Sequence, residues 1–195
     1  MSNNHAIDPG SSQDASNVLC VCPAIGHARD EHCRNLLTRN GPPGTIIGVT
    51  VATSPGERIS EWSNVIDSVR TTLSFVDVSN GGRSAAMSTD GFGGQNGALV
   101  NVVEIDEVDL QRIGTEIVAQ LDSATGGPVV VCIDSLTDLL QFESEQTLHR
   151  FLNVLTARVR ESGATAHYHI DADSHADSTF DTLAPLFDET RRHDS

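Results

Sequence analysis

Short apolar runs rich in β-branched residues alternate with amphipathic stretches along most of this chain. The runs NVLCVC (17–22), TIIGVTVAT (45–53), TLSFVDV (72–78), ALVNVVEI (98–105), PVVVCI (128–133) and ATAHYHI (164–170) read as strands. Helical patterns cover 29–39, 56–69, 108–123, 143–162 and 178–187. In the third of these, Leu110, Ile113, Ile117 and Leu121 fall on one stripe, and Asp109 stands where a carboxylate can serve the free amides of a first turn. The fourth carries Leu148, Phe151, Leu152, Leu155 and Val159 on its inner face and is closed by Gly163. PVVVCI is apolar at every position, as a central parallel strand covered on both faces must be. The βαβ cadence predicts a three-layer α/β domain, a mostly parallel twisted sheet with helices on both faces.

The polar, aperiodic residues 1–16 read as a mobile tail, 17–190 as a single domain, and 191–195 as a frayed end. Only residues 79–97, with glycine at six positions, break the rhythm. This stretch leads into a strand and not into a helix N-terminus, so it reads as a surface loop and not as a phosphate cradle.

Composition narrows the function classes. The formal charge is −15, and all 12 basic residues are arginine. Carboxylates without lysine make a surface that holds water and ions in concentrated salt, which points to a halophile. No basic stripe is present to displace counterions from phosphates, so nucleic acid is not the expected partner. No apolar run is long enough to cross a bilayer and no signal peptide is visible, so a cytoplasmic location without membrane association is expected. Cys20, Cys22, Cys33 and Cys132 lie in apolar segments and read as reduced, buried thiols.

The stretch VLCVCPAIGHARDEHCRNLL (18–37) has the strand, turn and helix order of a phosphate loop. Such a loop needs glycines to turn amides inward, a lysine on the β and γ oxygens and a hydroxyl on Mg²⁺. With Gly26 as the last glycine, His27 stands at the lysine and Ala28 at the hydroxyl, and the acidic RDE that follows repels phosphate. A second chemical signal is VVVCIDSLTDLL (129–140), a buried strand ending in Asp134. A carboxylate there is where P-loop ATPases organise Mg²⁺, although Asp and Ser also commonly end strands and cap turns.

With these motifs, the stretches CRNLLT, SPGERISEW, VDLQRIGTEI and LAPLFD make the chain resemble the RecA/KaiC superfamily of P-loop ATPases. From 17 to 188 it is similar to haloarchaeal KaiC-like proteins of unassigned role whose first loop has lost the Walker A residues. The resemblance implies a RecA-like P-loop NTPase fold, with Asp134 on the Walker B aspartate and Glu57 near a catalytic glutamate, although Pro55 and Gly56 intervene. It implies a vestigial nucleotide site at Gly26, His27, Asp134 and Ser135, and a non-catalytic regulatory or signalling module without a cofactor, acting through a protein partner or a homo-oligomer.

Histidine supplies the rival reading. In HYHIDADSH, His167 and His169 point the same way from a strand, and with Asp171 they offer zinc or another transition metal ligands from one face. His27, His32 and Cys33 could complete such a site at the same sheet edge, and the function would then be a nucleotide- or metal-dependent enzyme using ATP/Mg²⁺ or zinc. The same residues also read as polar groups at a strand end and in an acidic loop.

Overall fold

The computed structural model describes residues 15–23, 27–64, 66, 70–78 and 99–192, with backbone alone at His27 and Ala28. The apolar runs form seven strands: β1 (Asn17–Cys22), β2 (Thr45–Thr50), β3 (Thr72–Val78), β4 (Val100–Ile105), β5 (Val129–Asp134), β6 (Thr165–Asp171) and β7 (Glu189–Arg192). The helices are α1 (His27–Leu37), α2 (Pro55–Trp62), α3 (Leu110–Ser123), α4 (Leu136–Leu139), α5 (Glu145–Ser162) and α6 (Asp177–Leu183). Caps fix where they start and stop. The Ser54 hydroxyl accepts the Glu57 amide while the Glu57 carboxylate accepts the Ser54 amide at 2.7 Å, a reciprocal box that opens α2. Asp109 accepts the Arg112 amide at 3.0 Å as expected for α3, and Gly163 ends α5 at φ 71°, a left-handed conformation that glycine adopts without strain.

The strands form one sheet in the order β4-β3-β2-β5-β6-β1-β7, and every neighbouring pair is parallel. Strand alternation sends Leu19, Ile47, Val76, Val131 and Tyr168 to one face, where α3, α5 and α6 cover them. Ile46, Phe75, Val130 and Cys132 go to the other face, against Cys33 and Leu37 of α1 and Trp62 of α2. The protein is thus a three-layer α/β fold with helices on both faces of the sheet. Each fully buried leucine of α5, such as Leu148 or Leu152, contributes about 2 kcal/mol of burial. Among the described residues no helix is long and apolar enough to cross a membrane.

The chain ends differ from expectation. The segment expected to fray from 191 continues as β7 through Arg192, because β1 would otherwise be an open edge: Val18 pairs with Glu189 and Val21 with Arg192. Of the residues 1–16 read as a tail, the two described ones pack against the domain: Ala15 is buried and the Ser16 amide donates to Asp188 at 3.0 Å. Residues 1–14 and the glycine-rich stretch 79–97 lie outside the described residues.

Topology places the candidate site. From β2 the chain moves outward to β3 and β4, and from β5 it moves the opposite way to β6. Adjacent strands whose connections diverge leave a crevice at their carboxyl ends, where open α/β sheets collect ligands. Thr50 and Asp134 stand side by side at that point.

Candidate functional site

Asp134 is the last residue of β5 and only 2% exposed. A lone carboxylate at that depth would be costly, so partners are expected. Arg29 from the first turn of α1 meets one of its oxygens and Arg58 from α2 meets the other. Arg58 is 3% exposed because Pro55, Arg58 and Trp62 share the buried stripe of α2. Its Nη1 also reaches Glu61 at 2.5 Å. Burial lifts the Glu61 carboxyl above its ordinary value, and Arg58 offsets part of that rise. Two guanidinium charges and two carboxylates therefore cancel within this cluster.

A cavity of about 240 Å³ opens beside Asp134 at the carboxyl ends of β1, β5 and β6. Among the described residues, Asp134, Asp138 and Asp171 line it, with Arg29 as the cation. With Asp134 already paired to Arg29 and Arg58, the carboxylates of Asp138 and Asp171 remain on the lining and disfavour a polyphosphate. The Ser135 hydroxyl, expected in the vestigial nucleotide site, donates to Asp138 at 2.6 Å and accepts the Asp138 amide at 3.2 Å, so it caps α4. The Asp134–Ser135 peptide is cis. Asp30 places a further acid in the first turn of α1. Gly26 and the side chain of His27 lie outside the described residues. Glu57 serves its helix cap, and its carboxylate also takes the Ser54 hydroxyl at 2.8 Å.

The histidines belong to a second constellation on the same sheet face. On β6, His167 and His169 alternate with the inward-facing Tyr168 and so point toward α1. The parallel register sets Cys132 beside His167, and α1 brings Cys33 down onto both. One ligand atom from each of Cys33, Cys132, His167 and His169 lies within 4.8 Å of all the others, and all four residues are buried. The two sulfurs are 3.9 Å apart, and Cys33 Sγ is 3.3 Å from His167 Nε2. The imidazoles meet edge to face with centroids 5.2 Å apart.

Charge inside this cluster follows its contacts. The Cys132 thiol beside it, and then His167, hold the Cys33 thiol well below its ordinary value against the opposing effect of burial. Burial, then the contact with Cys33, push the Cys132 thiol well above its own. Burial lowers the proton affinity of His169, which favours the neutral imidazole, and neither of its ring nitrogens makes a hydrogen bond of normal geometry among the described residues. This is a soft donor set of two sulfurs and two imidazole nitrogens.

The structure therefore brings His167 and His169 together but pairs them with Cys33 and Cys132, not with Asp171. That carboxylate lies at the end of β6, where it accepts from the Ser174 hydroxyl and, at 3.2 Å, the Asp173 amide. His32 neighbours Cys33 in sequence but stands outside the four. His175 meets the Thr137 hydroxyl at 3.0 Å. Sequence reasoning missed Arg29 and Arg58 as partners of Asp134. The available signal was the 55, 58, 62 spacing, which sets an arginine on the stripe of a buried tryptophan and so demands a buried acid.

The model of a family of unknown function, DUF7504, matches residues 15–191, which include every strand of the sheet but the end of β7. The chain belongs to that family. No curated protein matches the sequence. The chain's fold is similar to that of a protein from Pyrococcus horikoshii OT3 solved in a structural study, with a TM-score of 0.53 and 14% identity, covering 91% of this chain and 81% of that one. At that identity the likeness establishes the fold alone.

Proposed function

We propose that this chain is a non-catalytic regulatory or signalling module of a halophile, built on a RecA/KaiC-like domain whose nucleotide site is vestigial, and that it acts through a protein partner or a second copy of itself. One observation carries the reading: the strand-end carboxylate of Asp134, which in an ATPase would organise Mg²⁺, is gripped on both oxygens by Arg29 and Arg58. A divalent ion there would face two guanidinium charges. At about 4 Å each unit pair repels by about 4 kcal/mol at an effective dielectric of 20. The acids lining the neighbouring cavity, and histidine and alanine at the lysine and hydroxyl positions of the first loop, point the same way.

Isothermal titration of ATP with Mg²⁺ in molar KCl tests it. No heat of binding is expected up to millimolar nucleotide. Micromolar binding that disappears in Asp134→Ala would overturn the reading and restore an ATPase.

A further inference from the structure

We propose that Cys33, Cys132, His167 and His169 form a tetrahedral site for one Zn²⁺ ion that ties α1 to β5 and β6. The site is independent of whether a nucleotide binds at Asp134.

Two edges of the cluster, both at Cys33, have lengths close to those of a zinc shell, and all four donors lie within 4.8 Å of one another. With Zn–S near 2.3 Å and Zn–N near 2.05 Å, a tetrahedron has a sulfur–sulfur edge of about 3.8 Å and a sulfur–nitrogen edge of about 3.6 Å. The corresponding distances here are 3.9 Å between the sulfurs and 3.3 Å from Cys33 Sγ to His167 Nε2. The four donors come from three elements, with Cys33 separated by 99 residues from Cys132 and by 134 from His167. Their convergence is thus a property of the fold and not of a local turn.

Burial and charge select the ion. His169 is 2% exposed, the Cys33 sulfur is the polar group that acts on it, and among the described residues neither ring nitrogen makes a hydrogen bond of normal geometry, a state for which a buried imidazole needs a reason. A metal supplies it. Two thiolates cancel the charge of Zn²⁺ and two neutral imidazoles add none, so the complex is neutral and fits an interior walled by Leu37, Trp62 and Phe75. Binding balances as Zn²⁺ plus two cysteine side chains giving a zinc dithiolate, with one proton released for each side chain that starts as a thiol. Magnesium and calcium, which take oxygen ligands, do not suit this donor set. Four protein ligands leave no open position for water, which makes the site structural and not hydrolytic. His169 also lines the 240 Å³ cavity at the sheet edge, which gives the ion a way in.

The test uses the full chain, purified without a histidine tag from zinc-supplemented cells and desalted. Elemental analysis should find one zinc per chain. Cobalt exchanged into the site should give the intense visible bands of tetrahedral Co²⁺ and a thiolate-to-cobalt charge-transfer band in the near ultraviolet. Cys33→Ser and Cys132→Ser should each weaken zinc retention against a chromophoric chelator by more than about a hundredfold, beyond what a supporting residue does. Two substitutions should leave it unchanged: Cys20→Ser, a buried thiol that pairs in register with His169 but stands outside the four, and Asp171→Asn. Should the cysteine variants fail to fold, the cobalt spectrum of the unaltered chain decides. Protein that holds no stoichiometric zinc, a weak octahedral cobalt spectrum, full retention in the Cys33→Ser/Cys132→Ser double variant, or a mass lighter by two hydrogens that marks a Cys33–Cys132 disulfide would each overturn the proposal.

Discussion

Replacing Arg58 with methionine should destabilise the fold by about 3 kcal/mol. The substitution keeps the aliphatic bulk beside Trp62 and removes one of the two charges that face Asp134. Arg58 is 3% and Asp134 2% exposed, so water cannot take over the lost contact. Breaking a buried pair by deleting one partner costs about 3–5 kcal/mol, because the remaining charge is left uncompensated. The lower end applies here, since Arg29 still holds the other oxygen. The contact with Glu61, whose side chain is 34% exposed, adds less than about 1 kcal/mol. The assay is urea unfolding in molar KCl followed by the fluorescence of Trp62, the chain's single tryptophan. With a urea slope of about 1–3 kcal/mol per molar, the midpoint should fall by a molar or more. The double variant Arg58→Met/Asp134→Leu should recover most of the loss, because replacing both members of a buried pair with apolar groups is close to neutral, and Arg29, 17% exposed, can turn to solvent. Added salt should leave the Arg58 effect intact, whereas the exposed Arg158–Glu161 pair is screened within about 3 Å at 1 M. A single-variant loss below about 1 kcal/mol, the range of a surface pair, or a double variant costing the sum of the singles, would refute the reasoning.

Asp188 sets an acid limb of stability. Burial pushes its carboxyl up, but Arg160 and the Asn17 amide outweigh that effect and hold it below its ordinary value of 3.8. A folded value below the unfolded one means that the contribution is present above the unfolded value and is lost as pH falls through the folded one. Asp188→Asn should therefore lower stability at neutral pH and flatten its fall below about pH 4, as read from urea midpoints across pH. Gly48→Ala should cost about 1–3 kcal/mol by overpacking, because the added Cβ would sit 2.7 Å from the Phe75 ring and 3.2 Å from Trp62. Near-ultraviolet circular dichroism of the Trp62–Phe75 stack, whose centroids are 5.7 Å apart, should change in step. Ser54→Ala opens the capping box of α2 and should cost about 1 kcal/mol in the same unfolding assay.

Strands were legible in the sequence because each is a short apolar run between turn residues. β1 and β3 have the boundaries their runs suggest, and β5 and β6 are displaced by one residue. Helix ends were harder to read, since α2 stops at Trp62 and α4 is a single turn folded out of what looked like a connection. β7 was missed because ETRR carries no apolar signal and is a strand only by pairing with β1. At the site, period-two alternation was enough to put His167 and His169 on one face. Alternation alone cannot say which strand lies next to β6, and Cys132 becomes a neighbour of His167 only through the β5–β6 register. Asp171 shares that face too but sits two residues beyond His169, at the rim of the sheet.

The two clusters have one element in common. Arg29 and Cys33 are four residues apart on α1, hence one above the other on the face that meets the sheet, and Leu37 follows at the same spacing. Read from its start, that face carries a cation for Asp134, a thiol for the sulfur–imidazole cluster and a leucine for the apolar core. In a phosphate-binding protein the first turn of such a helix is organised around the ligand, whose charge the free amides and the helix dipole attract. Here the protein supplies its own charge to that region: Asp30 stands in the first turn, and Arg29 is turned inward to Asp134. The helix thus meets the sheet through contacts within the chain at Arg29, Cys33 and Leu37. On the proposed reading of the chain as a module that acts through a partner, an α1 held in this way would keep its outer surface in place whether or not a nucleotide is present.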